Sequence, residues 1–155
     1  MDDIEKKLAE LAGRRIAVIC VGNPLRGDDG FGQAVATLLQ DGPASNKIFD
    51  AGSVPEDVLP KAARLQPEVV LFVDAADFGA APGALRLVSP EELAQGDFST
   101  HSAPLSTSAE YLKQSCGAKS MLLAAQARNT KFGSVMSIEI IKAAEQAAKL
   151  IRTAL

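Results

Sequence analysis

RIAVICVGNPLRGDDGFG, residues 15–32, runs an apolar strand-like segment straight into a glycine-rich turn that carries two adjacent carboxylates, Asp28 and Asp29. Six consecutive apolar residues, 16–21, without polar alternation suit a parallel strand covered by helices on both faces. Four more runs share the strand character: KIFDAG (47–52), VVLFVDAAD (69–77), ALRLVSP (84–90) and SMLLAAQA (120–127). Helical patterns alternate with them, so the spacing predicts a three-layer α/β/α domain around a mostly parallel, twisted sheet of about five strands.

Several helix boundaries are also legible. FGQAVATLLQDG places Ala34, Val35, Leu38 and Leu39 on a helical face that should stop at Gly42. Ser53-Val54-Pro55-Glu56 and Ser89-Pro90-Glu91-Glu92 both match a capping box with proline in the first turn, so each should open a helix. In the last helix, SIEIIKAAEQAAKLIRTAL, a stripe of Ile138, Ile141, Ala144, Ala148, Ile151 and Leu155 is expected to face the sheet. The third and fourth strands, joined by FGAAPG (78–83), read as a hairpin-like pair.

At 155 residues the chain fits a single domain, 1–155, with residues 1–14 as an N-terminal helical extension. A net charge of −3 offers no basic field for a phosphate backbone, so nucleic acid is excluded as a partner. MDDIEKKLAELAGRR mixes acids and bases at helical spacing and lacks the apolar stretch of a signal peptide. No apolar run approaches the roughly 20 residues needed to span a bilayer, so no membrane association is expected and the protein should be cytoplasmic. Nothing demands a dimer, and a monomer is expected. Cys20 and Cys116 make neither a CxxC pair nor a disulfide framework, and Cys20 reads as core filler.

The chemistry of the opening turn is unusual in its sign. Gly22 and Gly27 have the glycine spacing of a phosphate-binding loop, but Asp28 and Asp29 stand where that loop needs Lys and Ser/Thr. Two carboxylates repel phosphate and suit a metal ion or a cationic group. One of the pair could instead cap the following helix. Ligands in open parallel sheets bind outside the carboxyl ends of the strands. Asp74, near the end of VVLFVDA, and Asp50, ending the second strand, project toward the same edge as the acid pair. Asp50 could equally brace the glycine turn that follows it. His101, the only histidine, lies in the polar loop GDFSTHSAP (96–104). Two carboxylates and an imidazole form an open ligand set for a first-row divalent metal. A serine triad lacks its G-x-S-x-G elbow, and neither cysteine lies in a loop suited to thiol catalysis.

These residues, in this order, are recognisable. GNPLRGDDGFG resembles the G-N-x-L-x-x-D-D/E-G-x-G signature of the [NiFe]-hydrogenase maturation endopeptidases, which trim the C-terminus of the hydrogenase large-subunit precursor. DAGSVPED (50–57), LFVDAADFG (71–79), PGALRLVSPEEL (82–93) and STHSAPLS (99–106) are similar to further family segments. The resemblance runs from Arg15 to Ser106 and is nearest to the branch serving hydrogenase-3-type enzymes. It departs after the fifth strand, where the family commonly shows Gln-Pro but Gln126 is followed here by Ala127 and Arg128, then NTKFGSVMS.

The resemblance implies that Asp29, Asp74 and His101 are both the catalytic and the metal-contacting residues. Asp28, Gly22, Asn23 and Gly30 would support them. It further implies that the nickel is carried by the substrate precursor rather than held permanently, although other divalent metals could occupy the site. Either polarisation of the peptide carbonyl by the metal or activation of water by a carboxylate would then drive hydrolysis. Two alternatives remain at this point: a receiver-like module binding a divalent cation, and a hydrolase with its own catalytic metal.

Overall fold

The computed structural model describes residues 3–96, 98, 100 and 104–155. Its elements run α1 (Asp3–Ala9), β1 (Ile16–Cys20), α2 (Phe31–Leu39), β2 (Ile48–Asp50), α3 (Leu59–Arg64), β3 (Val69–Ala76), β4 (Leu85–Val88), α4 (Pro90–Gln95), α5 (Leu105–Cys116), β5 (Lys119–Gln126) and α6 (Ile138–Ala154). Five strands form one sheet in the order β2-β1-β3-β5-β4. The first four in that order are parallel, and β4 joins the edge antiparallel to β5. The expected α/β sheet is therefore present.

Alternate residues of each central strand feed two separate cores. Ile16, Val18, Cys20, Val69, Leu71 and Val73 pack with Leu8 of α1, Phe31 and Val35 of α2, and the alanine-rich face of α6. Ala17, Ile19, Val21, Val70, Phe72 and Leu122 pack on the other face with Leu59 of α3, Leu93 of α4 and Leu112 of α5. Two helical layers thus enclose the sheet, which explains why β1 and β3 are buried at every position.

Four local expectations need correction. Strands β3 and β4 do not pair with each other. Both edges of β3 are taken by the longer parallel strands β1 and β5, so the chain after Ala76 crosses to the far side of β5. The Ser53 capping box does not form. A short 3-10 turn covers Pro55–Asp57, and α3 starts separately at Leu59. Pro60 is the reason, because it has no N–H for the Glu56 carbonyl and its ring would clash there in a continuous helix.

The other two corrections are smaller. Helix α2 ends at Leu39 rather than running to Gly42, whose N–H closes back on the Leu39 carbonyl at 3.3 Å. The buried residues of α6 are Ile140, Ala143, Ala144, Ala147, Ala148, Leu150, Ile151 and Ala154, while Ile138 and Ile141 face outward. Ala144, Ala148 and Ile151 of the expected stripe are buried, and Leu155 packs partly against the same core. The Ser89 box, by contrast, is complete: Ser89 Oγ accepts the Glu92 N–H and Glu92 accepts the Ser89 N–H, each at 3.2 Å.

Candidate active site

The carboxyl end of β1 is stitched to those of β3 and β2 where the acidic residues lie. Val21 N–H donates to the Val73 carbonyl at 2.8 Å, and Gly22 N–H donates to the Gly52 carbonyl at 2.8 Å. The next residue after Val73 is Asp74, fully buried and paired in register with Ala124 of β5. The chain after Gly22 coils through residues 24–30 and returns Asp29 to the same sheet edge, 4% exposed.

Asp29 is oriented by backbone. Its Oδ2 accepts the Asn23 N–H at 3.1 Å, and that N–H also reaches the Asp29 carbonyl at 3.1 Å. Asn23 Oδ1 in turn accepts the Leu25 N–H at 3.0 Å and caps the coil. Gly22 is required by this closure, since a Cβ there would overlap the Asp29 carbonyl oxygen. Gly30 lies against Pro24, whose Cα would be 2.9 Å from an added Cβ. Gly22, Asn23 and Gly30 therefore shape the turn that carries Asp29.

Asp28 faces elsewhere. It is completely buried, and its Oδ2 accepts the N–H groups of Arg128 (2.8 Å) and Asn129 (3.1 Å) and the hydroxyl of Ser137 (3.0 Å). Its Oδ1 accepts the Ser137 N–H at 2.7 Å, and its own N–H returns a bond to the Asn129 carbonyl at 3.0 Å. Burial pushes the Asp28 pKa up, but the Ser137, Arg128 and Asn129 amides outweigh it and hold the carboxyl below its ordinary value. Asp28 thus does not cap α2, whose Gly30 N-cap makes no side-chain bond. It fastens the 127–137 loop, and the Ser137 N-cap of α6, onto the acidic turn. Gly27 permits the approach: its φ is +56°, and a Cβ would overlap the Ser134 hydroxyl.

Asp50 takes the structural role. Its Oδ1 accepts the Gly52 N–H at 3.0 Å, bracing the glycine turn, and the Gln33 amide of α2 at 3.1 Å. Cys20 is fully buried, and burial, reinforced by the negative charges of Asp50 and Asp74, drives its thiol pKa far up. That thiol is a protonated core residue. His101 lies outside the described residues. Thr100 before it makes an isolated antiparallel bridge with Ala76, two positions beyond Asp74. Among the described residues no three His, Cys, Asp or Glu side chains gather into a metal-binding group.

Gln126 has a role that its place in the sequence did not reveal. It is buried, its Oε1 accepts the N–H groups of Phe78 (2.8 Å) and Ala80 (3.3 Å), and its Nε2 donates to Asp77 Oδ1 (3.1 Å) and the Ala127 carbonyl (3.0 Å). It therefore holds the loop that leaves β3 just after Asp74. The available signal was a lone amide closing an apolar strand, and it gains meaning once Gln126 is paired with Ala76.

An α/β/α domain around a five-stranded, mostly parallel sheet is the architecture shared with solved hydrogenase maturation proteases. A profile described as hydrogenase maturation protease matches residues 34–154, and the chain belongs to that family. Among individual relatives, the hydrogenase 3 maturation protease of Escherichia coli is 36% identical over 102 residues. That match covers 64% of this chain and spans 65% of the relative's length. The crystal structure of the [NiFe] hydrogenase maturation protease HycI from Thermococcus kodakarensis superposes with a TM-score of 0.83 at 32% identity, covering 96% of this chain and 98% of that one. The solution structure of the endopeptidase HycI from Escherichia coli gives a TM-score of 0.78 at 31% identity, with 89% and 90% covered. Family membership sets the receiver reading aside. No helix among the described residues is long and apolar enough to cross a membrane.

Proposed function

We propose that the protein is an endopeptidase that removes the C-terminal extension of a [NiFe]-hydrogenase large-subunit precursor after nickel insertion. The observation that carries this reading is the pair of buried carboxylates, Asp29 and Asp74, set at the carboxyl ends of adjoining parallel strands in a chain of this family. Asp29, Asp74 and His101 meet the nickel that the precursor brings, and this contact positions the scissile bond. Oxygen and imidazole ligands suit such a checking role. They engage nickel, while the softer thiolates of a substrate hold it more tightly, so contact does not extract the ion.

The chain's own residues supply rigidity and charge. Asn23 fixes the Asp29 carboxylate, and Asp28 remains ionised to hold the neighbouring loop. Asp74 is set by the β3–β5 register rather than by a loop. A site built on strands and a tied turn keeps its geometry without reorganising when substrate arrives. The protein works as a cytoplasmic monomer on this reading.

Asp29→Asn tests it, because the change preserves size and removes charge. With nickel-loaded precursor, cleavage should drop by at least about 100-fold while the fold survives. A wild-type rate for this variant would remove Asp29 from the mechanism.

A further inference from the structure

The loop of residues 127–137 is tied by hydrogen bonds beside the acidic turn yet exposes apolar side chains. Leu25 is 64% exposed, Phe132 70%, Val135 86% and Ile138 66%. These four come from two segments joined through their backbones: Gly133 N–H donates to the Leu25 carbonyl at 2.8 Å, and Asp28 grips residues 128, 129 and 137. Ser134 closes the loop on itself by donating its hydroxyl to the Lys131 carbonyl at 2.6 Å. Large exposed apolar groups on ordered backbone are a mark of an interaction surface rather than of a disordered tail.

The charge around them has one sign. Arg26 follows Leu25 and Lys131 precedes Phe132, both are exposed, and neither has an ion-pair partner among the described residues. Arg128, by contrast, is neutralised by Glu139 at 2.7 Å. Two uncompensated cations edge this apolar patch in a chain whose net charge is −3. The complementary occupant is therefore an apolar segment carrying carboxylates.

We infer that Leu25, Phe132, Val135 and Ile138, with Arg26 and Lys131, form the docking surface for an apolar, acidic segment of the protein substrate. This inference rests on the endopeptidase reading above. The surface reads the substrate away from the reacting bond, beside the turn that carries Asp29. Phe132 and Val135 supply buried apolar area on docking, and Arg26 and Lys131 steer the approach.

The test uses the full chain, its nickel-loaded cognate precursor, and two double variants, Phe132→Ser with Val135→Ser and Arg26→Glu with Lys131→Glu. Binding is read by interferometry and cleavage by intact mass. The apolar double variant should weaken binding about tenfold or more, with the loss of cleavage appearing in KM. The charge-reversed pair should weaken binding and flatten its dependence on salt. Binding within twofold of wild type in both variants would overturn the docking surface, even with cleavage intact. A wild-type protein that binds the precursor through these residues but never cleaves it would instead sink the endopeptidase reading and leave the surface standing.

Discussion

Asp28 and Asp29 are adjacent in sequence and opposite in work. Asp29 is turned to the sheet edge shared with Asp74, and Asp28 to the amides of Arg128, Asn129 and Ser137. Asp28→Asn replaces a charged acceptor of four hydrogen bonds with an amide whose NH2 meets donors, and should cost about 3 kcal/mol at neutral pH. The sign with pH follows from the lowered pKa. The folded value lies below the unfolded one, so the stabilisation is complete above the ordinary carboxylate range and is lost as pH falls through the folded value. Urea unfolding should therefore show a large gap between wild type and Asp28→Asn at pH 7 that narrows below about pH 4. A gap of equal size at pH 7 and pH 3 would contradict this role. The sequence showed that the pair was too acidic for phosphate, but it could not divide the two roles. The partners of Asp28 lie a hundred residues downstream on a loop that has no recognisable local pattern.

At the scale of elements, what was local could be read and what depended on pairing could not. The Ser89 capping box is complete because all its atoms lie within four residues. The place of β4 was not legible, because it depends on which strand edge is free once β1 and β5 have covered β3. The phase of α6 failed for a related reason. Ile138, Ile140 and Ile141 are equally apolar near its start, but only Ile140 joins the alanines against α2 and the sheet, and Ser137, tied to Asp28, fixes the entry of the helix. Gln126 joins β5 to the loop after β3. Gln126→Leu would leave the Phe78 and Ala80 amides without their acceptor. We expect a loss of about 2 kcal/mol and faster hydrogen exchange at those two amides, with exchange in the centre of β3 less affected. Unchanged exchange at Phe78 and Ala80 would show that the loop holds itself.

For the whole molecule, the parallel sheet explains why residues far apart in sequence converge. Asp29 and Asp74 stand 45 positions apart in the numbering, yet β1 and β3 are neighbours in register, and the bond from Val21 to Val73 brings their ends level. Continuous apolar strands made this edge predictable, because parallel strands direct all their carboxyl ends one way. On the proposed function, the metal consulted in cleavage arrives with the substrate. An anaerobic cleavage assay, read by intact mass, with the cognate large-subunit precursor in nickel-loaded and nickel-free forms tests it most directly. Loss of a short C-terminal peptide from the loaded form alone is the predicted result. Equal cleavage of both forms, or cleavage that follows a metal bound to the protease itself, would contradict it.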